Sequence, residues 1–104
     1  MSERTAEILI GRKEPMRYVM AIIQSFAAGY TEIHLRARGM AIKRAVDTVQ
    51  IIKRSIIPEL KIKAINIGSE QITRQDGRTG YVSTIEIVVT KGEEKEEKKR
   101  TRHK

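Results

Sequence analysis

The chain of 104 residues has no cysteine and no tryptophan, two prolines, one phenylalanine and three tyrosines. Without cysteine neither a disulfide framework nor a thiolate metal site can form. The histidines, His34 and His103, each lack a second ligand at metal-binding spacing, so neither a metal nor a cofactor is expected. With Phe26 on an apolar helical stripe, only Tyr18, Tyr30 and Tyr81 are left for stacking on single-stranded bases, too few for a platform. No run reaches the ~18 apolar residues of a membrane span, and the opening MSERTAE lacks the apolar core of a secretory signal. A membrane is therefore not an expected partner. GxSxG, a glycine-rich phosphate loop and HExxH are all missing. Carboxylates such as Glu7, Glu32, Asp47 and Glu86 are scattered and read as surface charge and local ion pairs. No residue nominates itself for catalysis, and an enzyme is the least favoured of the function classes.

Positive charge is plentiful. Lys and Arg number 21 against 13 Asp and Glu, a net +8. Residues 1–90 hold 14 basic and 9 acidic side chains, and residues 91–104 hold 7 and 4, so body and tail are each basic. That balance favours an anionic partner, nucleic acid first. The tail KGEEKEEKKRTRHK has nothing apolar with which to offset the entropy of ordering, and disorder with auxiliary, salt-sensitive phosphate binding is expected there. The organisation expected is a nucleic-acid-binding domain over 1–90 and a tail over 91–104.

Apolar periodicity divides the body. Residues 6–11 read as a strand ending in Gly11. Pro15 suits the first turn of a helix, and Met16, Val19, Met20, Ile23, Phe26 and Ala27 mark one face of it before Gly29. Residues 32–38 alternate as a second strand. A second helix runs from Gly39 towards Pro58, with Ile42, Ala45, Val46, Val49, Ile52 and Ile56 on one face. Its apolar surface exceeds a single stripe, which suits either a deep core helix or a subunit contact. Residues 60–68 form a third strand whose apolar parity changes between Ile62 and Ile65, the mark of a bulge or of two-sided burial. Residues 81–89 form a fourth. Between them TRQDGRTG carries Asp76-Gly77, the signal for a two-residue hairpin turn, with Arg74 and Arg78 beside it and no core to bury. The order β-α-β-α-β-β predicts an α/β two-layer sandwich, a four-stranded mixed sheet with two helices on one face and a long projecting hairpin.

Two junctions concentrate basic residues. Arg12, Lys13 and Arg17 lie where the first helix begins, against the preference of a helix N-terminus for acidic side chains. Arg36, Arg38, Lys43 and Arg44 surround the start of the second, where Gly39 lets a phosphate approach backbone N–H groups. A strand-helix-strand unit makes its strands parallel, so both junctions fall on one edge of the sheet. Two such clusters brought together by topology make a phosphate-binding surface.

At ILIGRKEPMRYVMA, EIHLRARGMAIKRAVDTVQIIKRSIIP and NIGSEQITRQDGRTGYVSTIEI the chain resembles the Alba family of archaeal chromatin proteins. The resemblance spans residues 6 to 90 and implies the same fold, a homodimer able to assemble further on DNA, and binding to double-stranded DNA, and to RNA, with little sequence preference. It implies binding roles for Arg12 and Lys13 in the first loop, for Arg36, Arg38 and Arg44 at the second, and for Arg78 after QDG in the hairpin; Arg74 has no fixed counterpart. It makes Lys13 a candidate acetylation site, with a deacetylase or acetyltransferase as partner, and implies a cytoplasmic protein associated with the chromosome. Three positions depart from the family pattern: Arg12 stands where lysine is usual, Met40 where many relatives are basic, and Ile56 where some carry a phenylalanine in a contact between dimers. An RNA-binding or ribonucleoprotein role on the same scaffold is the alternative.

Overall fold

The computed structural model describes residues 4–92; the rest of the expected tail, residues 93–104, lies outside the described residues. Among those described, the order is β1 (Thr5–Leu9), α1 (Pro15–Ala27), β2 (Glu32–Arg38), α2 (Ala41–Ser55), β3 (Lys61–Thr73) and β4 (Thr79–Thr90). The strands form one mixed sheet in the order β1-β2-β4-β3. β1 runs parallel to β2, with Leu9 opposite Arg36, and β4 is antiparallel to both β2 and β3. β1, β2 and β3 therefore point the same way. Their C-terminal ends, and the N-termini of both helices, meet at one edge.

Alternation along the strands decides which face is covered. Ile33, Leu35 and Ala37 of β2 and Ile87 and Val89 of β4 point to the helices and are buried. Val19, Ile22, Ala45 and Ile52 are fully buried against them. Each such aliphatic side chain removed from water stabilises the fold by roughly 1.5–3 kcal/mol, alanine less. The opposite face of the sheet carries charge and no second layer among the described residues.

Both helical stripes differ from the periodicity reading. On α1 the buried residues are Tyr18, Val19, Ile22 and Phe26, while Met16 and Met20 are about half exposed, at 48% and 49%. The stripe rotates because the Tyr18 hydroxyl finds backbone donors at Gly11 and Lys13, so its ring can turn inward. Tyr18 is thus core-facing rather than a surface aromatic. On α2 the buried set is Ala45, Thr48, Val49 and Ile52, and Val46 and Ile56 are exposed. Thr48 is tolerated inside because its hydroxyl donates to the Arg44 carbonyl at 2.8 Å.

The parity change in β3 is a bulge between Ile62 and Ala64. Beyond it β3 and β4 stay paired to Thr73 and Thr79, longer than the expected strands. The hairpin connection also differs from the expected two-residue turn. Gly77 N donates to the Arg74 carbonyl and Arg74 N to the Arg78 carbonyl, so a three-residue loop, Gln75-Asp76-Gly77, is closed by the two arginines. A two-residue type I′ turn needs positive φ at both central positions, and only Gly77 (φ 88°) has it. Asp76 accepts from Arg78 N instead, at 3.0 Å. From Gly68 and Thr84 the arm extends roughly 20 Å at ~3.3 Å per residue, which elongates the molecule to 56 × 32 × 27 Å.

Candidate nucleic-acid interface

The edge that gathers the strand ends is built from two loops and the arm base. In the first loop Gly11 N and Lys13 N both donate to the Tyr18 hydroxyl, at 2.9 and 3.0 Å. The Arg44 guanidinium, from α2, donates to the Gly11 carbonyl and ties the second junction to the first. In the second loop Gly39 takes φ 58°, a left-handed conformation suited to glycine, and its N–H donates to the Ser83 carbonyl in the arm base at 2.9 Å. The two loops and the arm are thus joined by hydrogen bonds through Arg44 and Gly39.

Neither helix has an acidic residue in its first turn or a side-chain cap. Arg17 and the pair Lys43 and Arg44 occupy those turns instead, adding charge to the positive ends of both dipoles. An open groove of about 1020 Å³ runs between loops and arm base, lined by Arg12, Arg36, Arg38 and Arg44 among others.

Apart from Arg44 and Gly39, the expected binding residues fall into three environments. Arg12, Lys13 and Arg17 are exposed, and their side chains make no hydrogen bond or ion pair with other described residues. A second group is held by carboxylates of the same chain. Arg36 points from the uncovered sheet face, not from the junction, and pairs with Glu7 at 2.9 Å and Glu86 at 3.0 Å. Arg38 meets Glu70 at 3.3 Å, and Lys43 meets Asp47 at 2.8 Å, one turn along α2. The third group sits at the arm tip, an arm's length away. Arg78 is 81% exposed with Asp76 at 3.7 Å, and Arg74 lies across Gly80, where a side chain would collide with its guanidinium.

The uncovered sheet face carries a second arrangement that sequence reasoning treated as scattered charge. His34 sits between two carboxylates, Nε2 at 2.9 Å from Glu32 and Nδ1 at 3.0 Å from Glu86. Ionised carboxylates only accept, so this geometry favours the protonated ring, in which both nitrogens donate. The hydrogen bonds to Glu86 and then Glu32 raise the His34 pKa above its ordinary value. Glu32 is lowered, first by its hydrogen bond with Lys63, then by His34; Glu86 is lowered by its hydrogen bonds with His34 and Asn66. Among the described residues no group of three or more His, Cys, Asp or Glu side chains is arranged to hold a metal, and no helix is long and apolar enough to cross a membrane. Tyr18 and Glu70 are the site residues that sequence reasoning missed. Nothing in the local pattern marks either, because their partners lie across the fold.

The β-α-β-α-β-β sandwich thus sets two cationic helix starts and a projecting arm on one edge. The model of the Alba family matches residues 6–69. The chain is 42% identical over 84 residues to the DNA/RNA-binding protein Alba 1 of Archaeoglobus fulgidus, covering 81% of this chain and 93% of that protein. It is also 42% identical over 85 residues to the DNA/RNA-binding protein Alba of Methanococcus maripaludis, covering 81% and 96%. Alba from Thermoplasma volcanium superposes with a TM-score of 0.75 at 33% identity, over 81% of this chain and 98% of that one. ALBA1 of Trypanosoma brucei superposes at 0.65 with 27% identity, over 92% and 81%. The chain belongs to the Alba family. The curated relatives are named for binding DNA and RNA, not for an enzymatic activity.

Proposed function

We propose that this protein binds double-stranded DNA with little sequence preference and, as a homodimer, coats and compacts chromosomal DNA in the cytoplasm. One observation carries the reading: the parallel β1-β2 pair brings Arg12, Lys13, Arg17, Arg38 and Lys43 to one edge, together with both helix N-termini and the arm. Such a surface meets phosphates rather than base edges, so it positions without reading sequence. The role is binding, not catalysis.

The dimer is supported by apolar surface. Ile62, Ile65 and Ile67 stand opposite Val89, Ile87 and Ile85, so they share the helix-facing side of the sheet. They are nevertheless 40%, 55% and 81% exposed, and Val46 and Ile56 at α2 are exposed as well. A second copy that covers this surface also supplies a second arm, and further assembly along DNA extends the coat. Lys13, exposed at the loop, is the proposed acetylation site, which brings a deacetylase or acetyltransferase as partner. RNA is the second reading, favoured by the relatives' names and by a surface that follows backbone rather than bases.

The test is a salt series on random-sequence duplexes, with duplex RNA as competitor. Log affinity is expected to fall with log salt at a slope of about −0.9 per neutralised phosphate. A flat series defeats the proposal, and preferential retention of RNA selects the second reading.

A further inference from the structure

The four arginines that line the groove are not equally available. Arg44 is committed to the Gly11 carbonyl. Arg36 is gripped by two carboxylates at 2.9 and 3.0 Å, both from neighbouring strands of the same sheet face. Arg12 has no carboxylate partner among the described residues. Arg38 stands between these extremes. Its one ion pair among the described residues is with Glu70, at 3.3 Å, and both side chains are more than half exposed, at 58% and 54%. Glu70 belongs to the arm base, opposite Val82, whereas Arg38 ends β2 and pairs with Thr84. This contact is longer than either pair on Arg36 and wetter than the pair with Glu86, and a phosphate offers the same guanidinium two oxygens in the bidentate geometry it prefers.

We propose that Glu70 is an intramolecular competitor for the nucleic-acid phosphate at Arg38, and that it sets the affinity of the interface. The proposal rests on the nucleic-acid reading of this edge. In the free protein Glu70 occupies the guanidinium. On binding, Arg38 transfers to a phosphate, and the released carboxylate remains beside the polyanion as a standing repulsion. Arg36 keeps its two carboxylates and acts as part of the sheet, so the exchange is confined to Arg38. Removing the Glu70 charge therefore strengthens binding. A Glu70 that served to hold Arg38 in a binding posture would have the opposite effect, and its removal would weaken binding.

The experiment compares wild type, Glu70→Gln and Glu59→Gln on one random-sequence DNA duplex across a salt series. Glu59 lies before β3, at the sheet edge opposite the arm, so its replacement makes the same change in net charge far from the groove. Glu70→Gln is expected to bind about fivefold tighter at low salt, the size of one unit-charge contact in water, with a steeper salt slope. Glu59→Gln is expected to shift affinity much less. Unchanged or weaker binding by Glu70→Gln overturns the proposal, as does an equal gain from Glu59→Gln. A wild-type protein without salt-dependent binding overturns the nucleic-acid reading as well; salt-dependent wild-type binding with no gain in Glu70→Gln overturns this inference alone.

Discussion

Among single residues, the cations of the interface sort by what already holds them. Arg12, Lys13 and Arg17 face solvent without a carboxylate among the described residues, Arg38 has an exchangeable one, and Arg36 has two. Residue type alone treats these as equivalent. The difference comes from the registers that set Arg36 opposite Glu86 and bring Glu70 within reach of Arg38. A replacement at Arg38 therefore separates site from scaffold. Arg38→Glu is expected to weaken binding to any duplex by roughly tenfold or more at low salt, because it replaces attraction by repulsion at contact distance, while the thermal midpoint stays close to wild type. Arg78→Ala, at the arm tip, is expected to cost less and to leave the oligomeric state unchanged. Fluorescence anisotropy with each variant, beside a thermal melt, checks both; normal binding by Arg38→Glu removes the loop edge as the site.

Among the elements, the arm and the edge strand supply surface that a small core does not need. The pairing of β3 with β4 continues past the last core position, and the arm's two strands carry exposed side chains on most positions. Ile72 and Val82 are only partly covered, and Arg74 shields Gly80. Such an arm is held by its backbone ladder and by the Gly39-to-Ser83 hydrogen bond, not by burial. The same edge strand exposes Ile65 and Ile67 on its helix-facing side. Replacing both by lysine is expected to convert a dimer to a folded monomer, seen as a halved mass in light scattering with an unchanged circular dichroism spectrum. An unaltered mass moves the subunit contact elsewhere. The hairpin and the element order are legible in alternation and in Asp76-Gly77. Strand length, turn type and the rotated stripe of α1 are not, because each depends on a partner from another element: the facing strand, the Arg74–Arg78 pair, the two amides on Tyr18.

Across the whole molecule, charge is divided by the sheet. The loop edge carries cations and positive helix ends, whereas the uncovered face balances Arg36, Lys63 and His34 against Glu7, Glu32 and Glu86. This second arrangement makes stability depend on pH with a defined sign. The folded pKa of His34 is raised, so its contribution is complete below the unfolded value near 6.5 and is lost as pH rises through the folded value. Glu32 and Glu86 are lowered, so theirs is present above about 4.5 and is lost as pH falls through their folded values. Thermal midpoints are expected to be highest near pH 5–6.5 and to decline on the alkaline side. His34→Gln is expected to flatten the alkaline limb and to weaken the acid one, because Glu86 is lowered first by its hydrogen bond with His34; an alkaline limb that persists unchanged in His34→Gln places the titrating group elsewhere.

Element order, the sandwich, the shared edge of the two basic junctions and the family are all written in the amino-acid sequence, since periodicity, glycine and proline placement and crossover geometry are local or topological properties. Which cations are held and which are free emerges only in the folded chain. Ion pairs and side-chain hydrogen bonds depend on distances of a few ångströms between residues far apart in the chain: Arg38 and Glu70, His34 and Glu86, Arg44 and the Gly11 carbonyl. Those distances are set by strand register and helix docking, and no spacing along the chain encodes them.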